Sequence, residues 1–401
     1  MSMLDRLSQR DCWESFYKYK ASLTGSTAFC RELRSFIDSG GYIPVCEAIY
    51  SGKDFPLPRR SVISKLDTTK KRVVYTYPQA ENMVMKLLTY LLLRKYDGLF
   101  SAGLYSFRPN RTAKDAVRRL TGTPRISEMY SYKADISNYF NSVPVEKLLP
   151  MLQEALADDS RLYEFLSSLL TEPHVLEADK VITEEKGIMA GTPLSAFYAN
   201  LYLHKLDSRF AERNIPYGRY SDDIILFAPT KEECMGYAEH IRSFLAEQGL
   251  SLNPDKECFG APHEGWTFLG FVFKGGTIDI APASVEKMKQ KMRRKTRALQ
   301  RWKQRNEMSG EKAAAAFIRV FNRKLFECTE DSDLTWSKWF FSVINTDISL
   351  KVIDHYAQDC VRYLVSGKRT KQRFTVRYED IQRLGLRSLV HEYYSEQNDK
   401  L

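Results

Sequence analysis

Apolar residues cover most of the circumference of the helical segment QAENMVMKLLTYLLLRKY, residues 79–96, which predicts a helix buried on nearly every side. Before it, FPLPRRSVISKLDTTKKRVVYTYP alternates β-branched and polar positions around DTTKK and predicts a hairpin ending at Pro78. YSYKADISNYF reads as a strand running into a turn, and SAFYANLYLHKLDSRFAERN as one long helix closed by Asn214 and Pro216. RYSDDIILFA, residues 219–228, predicts a second hairpin, KEECMGYAEHIRSFLAEQGL an amphipathic helix stopped at Gly249, and WTFLGFVFKGGTIDIAP a third hairpin turning at Gly275 and Gly276. Residues 1–50 predict short helices broken at SLTGS and DSGGYIP, and the pattern from residue 284 onward is helical. The fold class is therefore α+β, with the main boundary expected at 281–283.

Composition narrows the class. With 43% hydrophobic and 12% aromatic residues, 401 residues can bury more than one core. No run approaches the ~18 apolar residues of a membrane span, and MSMLDRLSQRD lacks an apolar signal segment, so a cytoplasmic protein without membrane contact is expected. Seven cysteines without a CxxC pair and six dispersed histidines predict reduced thiols and no zinc site. A net charge of +10 matters mainly through its placement. In VEKMKQKMRRKTRALQRWKQR, residues 285–305, ten positions are Lys or Arg against one acid. Val285, Met288, Met292, Leu299 and Trp302 recur there at helical spacing. This describes an apolar stripe on a core with a basic outer face, either a solvated face or a phosphate contact.

The candidate chemistry lies in adjacent Asp222 and Asp223, set before four large apolar residues. Two neighbouring carboxylates at the edge of a buried strand repel unless solvent or a cation compensates. As an isolated stretch SDD is a solvated turn. A third carboxylate, Asp135, ends a strand 87 residues before Asp222, and strand-end acids from distant segments are what a clamp for two divalent ions requires.

These residues carry a resemblance. YSDD is similar to the Tyr-x-Asp-Asp turn of reverse transcriptases, and ADISNYF to their first palm motif. YSFRPNRTAKDAV resembles a motif of the bacterial, group II intron-like branch, KGIMAGTPLSAFYANLYLHKLD its substrate-and-template helix, LSLNPDKE its lysine motif and FLGFVF its primer grip. Six motifs in order over about residues 55–280 make the resemblance specific.

The resemblance implies a right-hand polymerase: an N-terminal helical extension (1–50), fingers (51–130, with 145–190 interleaved), palm (131–283) and a helical thumb and C-terminal region (284–401). It implies RNA-directed DNA synthesis from dNTPs, with two Mg2+ ions (Mn2+ as a substitute) held by Asp135, Asp222 and the Ile136 carbonyl. Asp223 supports the turn and adds charge. Lys65 and Arg72 would neutralise the triphosphate, though an exposed basic turn is the alternative, and Gly191 belongs to the substrate-binding motif. Phe140 would exclude a 2′-hydroxyl, or serve the core, or both. Lys256 would stand beside the leaving pyrophosphate or be merely solvated. Arg108, Arg293, Arg294, Arg297 and Trp302 are candidate nucleic-acid contacts.

The sequence also departs from the branch. The usual Gly-x-Pro-Gln-Gly is Gly187-Ile188-Met189-Ala190-Gly191, which puts fidelity, template choice or priming in question. No HNH-like or RNase H segment is recognisable, the retron VTG marker is missing, and the Ser-Gln pair of diversity-generating enzymes is Ser195-Ala196. By elimination the resemblance points to a solitary bacterial reverse transcriptase, of which many act in phage defence with a dedicated noncoding RNA. An intron-type maturase and template-independent DNA synthesis are the alternatives.

Overall fold

A computed structural model describes residues 2–24, 28–53, 55–64, 71–327 and 335–398. The chain forms two compact units, Met1–Pro262 and His263–Leu401.

In the first unit, helices Arg10–Thr24, Ala28–Asp38 and Ile43–Tyr50 end near the expected breaks. The first and third pack on helix Gln79–Lys95, which is buried along its length as its all-round apolar pattern requires. Trp13 anchors this layer, stacked on Tyr42 at 5.0 Å with its indole N–H donating to the Leu7 carbonyl at 2.7 Å.

The expected hairpin forms as β1 (Arg59–Ser64) and β2 (Lys71–Thr76). Two later strands, β4 (His174–Glu177) and β5 (Lys180–Thr183), join it in the order β2-β1-β4-β5. Arg60 on β1 reinforces the joint through ion pairs to Glu177 and Glu184. The central sheet contains β3 (Tyr130–Asp135), β6 (Tyr217–Tyr220), β7 (Asp223–Ala228) and β8 (Cys258–Gly260), antiparallel in the order β6-β7-β3-β8. Helix Lys231–Glu247 packs on β3 and β7, and Ile224–Ala228 are all buried, so the apolar run reads as a fully covered strand.

One expectation changes here. The segment expected as one long helix is two, Ser195–Tyr202 and His204–Glu212, broken at Leu203. Carbonyls beside the break accept from side chains: Ala199 from the Tyr139 hydroxyl at 2.6 Å, Asn200 from Arg219 at 3.4 Å, and Leu201 faces the His204 ring at 2.7 Å. Such diversion of helical acceptors weakens continuation at that point.

In the second unit, β9 (Trp266–Phe268), β10 (Phe271–Lys274) and β11 (Thr277–Ile280) form an antiparallel sheet with the expected turn at Gly275 and Gly276. Helices Pro282–Arg305, Gly310–Phe326 and Ile348–Ser366 then pack against one another. The division falls at 262/263, ahead of the 281–283 boundary expected from sequence. The reason is the tie between hairpin and helices: Asn345 donates to the Gly276 carbonyl at 2.9 Å and accepts from Ile278 N–H at 2.8 Å, and the Ser349 hydroxyl donates to Asp279 at 2.8 Å. Among the described residues no helix is long and apolar enough to cross a membrane.

Candidate active site

Strands β3 and β7 pair so that Asp135 faces Asp223 across the ladder. The next residue on each side closes the corner, with the Ile136 N–H donating to the Asp222 carbonyl at 3.0 Å. Asp222 follows a turn residue, Ser221, held at φ 60°, so the β6–β7 turn is sharp and places its acid at the end of β3. Three carboxylates from two distant segments therefore come to one end of the two central strands.

Burial makes their charges costly. It raises the Asp222 carboxyl above its ordinary range, and the negative charge of Asp135 adds to the effect. Burial likewise pushes Asp223 up to about 6, with Lys133 opposing and the neighbouring Asp222 and Asp135 reinforcing. Asp135 is 9% exposed and accepts from the Lys256 ammonium at 2.6 Å. Partial burial is the largest single influence and would lower the Lys256 pKa, but the bond to Asp135 together with the charges of Asp135, Asp223 and Asp222 holds the group above its usual value. The corner thus has more negative charge than its surroundings neutralise, and Lys256 supplies part of the missing positive charge.

Hard carboxylate oxygens with a backbone carbonyl suit Mg2+, which takes few protein ligands and completes its shell with phosphates and water. No group of three or more His, Cys, Asp or Glu among the described residues forms a metal cage by itself. Asp135 and Asp222, near enough for their charges to repel, present hard anionic oxygens of the kind such an ion takes.

What holds the turn was missed in the sequence. Arg219 and Asp207 are both fully buried and paired at 2.6 and 2.8 Å, with Tyr217 donating to the same carboxylate at 2.8 Å. The remaining guanidinium donors reach the carbonyls of Ser221 at 3.1 Å and Asn200 at 3.4 Å. Burial alone would lower the arginine pKa, yet the adjacent Asp207 carboxylate holds it above its ordinary value. A charged strut thus fixes the residue immediately before Asp222. The only hint in the sequence is a charged residue inside a strand otherwise built of tyrosines and glycine.

Phe140 lies half-buried on the short helix Tyr139–Ser142, edge-on to Tyr139 (5.6 Å) and Phe107 (6.3 Å). Its carbonyl accepts from Ile188 N–H at 2.8 Å. Gly187, at φ 53°, lies so close that a Cβ would stand 2.5 Å from the Phe140 carbonyl oxygen. Gly191, at φ 102°, packs on β2, where a Cβ would approach the Tyr75 oxygen to 3.0 Å. Asn141, unremarked in the sequence, joins these pieces: its amide donates to the Val73 carbonyl at 3.1 Å and its oxygen accepts from Ala190 N–H at 3.2 Å. Phe140, the 187–191 turn and the start of β2 are thereby one assembly. Met189 and Ala190 are buried in it, Met189 accepting from the Tyr77 hydroxyl at 3.6 Å.

Arg72 is exposed at the start of β2, one residue from Val73, which Asn141 holds, while Lys65 lies outside the described residues. Arg108 does not face outward as expected. Its side chain is 4% exposed and its guanidinium bonds Asp97 at 2.7 and 2.9 Å and the Ser101, Leu104 and Asp97 carbonyls. With its donors consumed inside, Arg108 braces a loop, and the adjacent Phe107 is the exposed member of the motif.

In the second unit, helix Pro282–Arg305 buries Val285, Met288, Met292, Thr296 and Leu299. Trp302 is 39% exposed, so the apolar stripe ends at Leu299 rather than at the tryptophan. Arg293, Arg294 and Arg297 are exposed, and Arg293 donates to the Tyr356 hydroxyl at 3.1 Å.

Residues 63–273, more than half of the chain, match the profile of the family described as reverse transcriptase (RNA-dependent DNA polymerase). The chain is 27% identical over 154 residues to an uncharacterized 91 kDa protein in a cob intron of Schizosaccharomyces pombe, covering 38% of this chain and 19% of that protein. It is 25% identical over 174 residues to the retron Ec86 reverse transcriptase of Escherichia coli (42% and 50%). To the group II intron-encoded protein LtrA of Lactococcus lactis it is 24% identical over 188 residues (45% and 30%). The chain thus spans half or less of the length of these relatives. Among solved structures, apo telomerase from Candida tropicalis aligns with a TM-score of 0.47 at 12% identity, covering 82% of this chain and 59% of that one.

Proposed function

The chain belongs to the reverse transcriptase family, and on that premise we propose that it is an RNA-directed DNA polymerase that makes cDNA from dNTPs. The observation that carries the reading is the β3–β7 register, which brings Asp135, Asp222 and Asp223 to one end of the two central strands, where burial raises the Asp222 and Asp223 carboxyls above their ordinary range. Asp135, Asp222 and the Ile136 carbonyl would hold divalent metal, two Mg2+ ions in this proposal. Such ions, when bound, would supply charge that favours loss of the primer 3′-hydroxyl proton and departure of the pyrophosphate. The chain's own groups position the reactants. Arg72, with Lys65, neutralises the triphosphate; Phe140 closes the space beside the sugar; the 187–191 turn with Gly191 lets backbone approach closely. Lys256, which bonds Asp135, would donate a proton to the leaving group.

Asp222→Asn removes charge at constant volume and should lower dNTP incorporation on a primed RNA template by about 10^3-fold or more, several kcal/mol of transition-state stabilisation. The fold and RNA binding should persist. Near-normal incorporation by this variant would refute the assignment. The RNA partner we propose is a dedicated noncoding RNA in bacterial antiphage defence, a reading supported by the likeness to a retron enzyme. One recurrent RNA copurifying with the protein, together with cDNA complementary to it, is the expected result. A mixed RNA population without cDNA would count against it.

A further inference from the structure

Helices Pro282–Arg305 and Ile348–Ser366 pack side by side, and with the segment that follows they line an open, concave cavity of about 370 Å3. Its walls alternate two chemistries. Arg293, Arg297, Arg369 and Arg373 bring four guanidinium groups, and Tyr356 and Tyr363 bring two aromatic faces. Arg293 and Arg297 are one helical turn apart on the first helix, as Tyr356, Asp359 or Cys360, and Tyr363 are on the second, so the two faces meet along their length.

The charge does not balance. Asp359 is the one carboxylate in the lining among the described residues, and it is shared loosely by Arg373 at 3.3 Å and Arg362 at 3.5 Å. The guanidinium groups of Arg297 and Arg369 have no carboxylate partner among the described residues. Both tyrosine rings already carry cations, Lys289 at 5.4 Å from Tyr356 and Arg369 at 5.1 Å from Tyr363. Like charges converging on a concave site without matching acids raise its affinity for an anion, and the planar guanidinium fork matches phosphate. Aromatic faces next to such a fork suit a nucleobase, and the volume lies in the range that takes a small molecule.

We propose that this cavity holds one nucleotide unit of a single-stranded nucleic acid, the phosphate on Arg293, Arg297 and Arg369 and the base against Tyr356 and Tyr363. The basic helix is then more than a flat support for a duplex backbone, since two of its arginines turn toward the second helix and hold a strand that has left the duplex. The site lies wholly within the second unit and requires neither metal nor dNTP.

Binding of a fluorescent single-stranded RNA 12-mer to the full chain, carried on the Asp222→Asn background, tests this apart from polymerisation. Arg297→Gln with Arg369→Gln removes two groups that hold no ion pair among the described residues, so the melting temperature should not move. Affinity should fall at least about tenfold, and the log–log salt dependence should flatten by roughly 0.7 for each phosphate no longer neutralised. Tyr363→Ala should weaken binding roughly 5- to 150-fold and leave the salt dependence unchanged, as loss of stacking does. Unaltered affinity in the arginine pair overturns the proposal. So does a silent Tyr363→Ala combined with equal competition by polyglutamate, which would make the cavity a dock for an acidic protein. A mononucleotide binding as tightly as the 12-mer would assign the cavity to a free nucleotide and overturn the strand reading. None of these outcomes bears on the Asp222 assignment, because the background has no polymerase activity to lose.

Discussion

The β6–β7 turn and the basic helix Pro282–Arg305 both concentrate charge, and they hold it in opposite ways. In the turn, Arg219 and Asp207 have no exposure at all, and each charge is answered by a partner or a carbonyl. On the helix, ten basic residues project from a stripe of Val285, Met288, Met292 and Leu299, with Glu286 as the single acid between 285 and 305. Buried charge tolerates only satisfied geometry, because the cost of an unpaired ion is several kcal/mol, whereas exposed charge costs little and remains available to a ligand. On the proposed function, the first kind would fix where a catalytic group stands and the second would set how strongly a polyanion is held.

Breaking the buried pair should give the largest change in stability. Arg219→Met leaves Asp207 buried and unpaired and should cost about 3–5 kcal/mol in chemical denaturation, with incorporation abolished as the turn relaxes. A destabilisation below about 1 kcal/mol would show that the strut is dispensable.

Asn141 carries no charge and holds its neighbours by two hydrogen bonds, so its effect should be intermediate and kinetic. Asn141→Ala should raise the dNTP KM by roughly 5- to 20-fold, from two bonds worth about 1 kcal/mol each, and change kcat less. Asn141→Asp keeps the acceptor for Ala190 and removes the donor to Val73, so about half the effect should remain. A KM unchanged in both variants would leave Asn141 as packing.

Phe140→Ala should raise ribonucleotide use relative to deoxynucleotide use by about tenfold, read as the ratio of kcat/KM values. An unchanged ratio would return Phe140 to the core. The smallest stability effect belongs to the exposed side of the comparison. Neutralising Arg293, Arg294 and Arg297 together should shift stability by no more than about 0.5 kcal/mol. Binding to a primed RNA template should nonetheless weaken, and the salt dependence should flatten by roughly 0.9 log units for each phosphate no longer neutralised on a B-form duplex. Coincident salt slopes for wild type and triple variant would make this a merely solvated face.

Local pattern determined a good deal. Alternation and turn residues located the β1–β2, β6–β7 and β10–β11 hairpins, an all-round apolar run located helix Gln79–Lys95, and the 3.6-residue period located helices Lys231–Glu247 and Pro282–Arg305, because each signal depends only on neighbours along the chain. The acids stood out only in combination, since SDD taken alone reads as a solvated turn and gains meaning from Asp135 and from the order of the surrounding motifs. Non-local choices were not legible. Arg108 and Arg219 are both basic residues in motif-bearing segments, and sequence alone cannot tell an arginine that meets phosphate from one that meets a buried carboxylate. Asp97 claims the first and Asp207 the second, through bonds made only once the chain has folded. The same holds for the break at Leu203, where carbonyls are drawn to Tyr139, His204 and Arg219, and for Asn141, whose partners lie 68 and 49 residues away. Periodicity reports which face a residue takes, while the partner waiting at that face is decided by the tertiary structure, because hydrogen bonds and ion pairs are short-ranged in space and indifferent to distance along the chain.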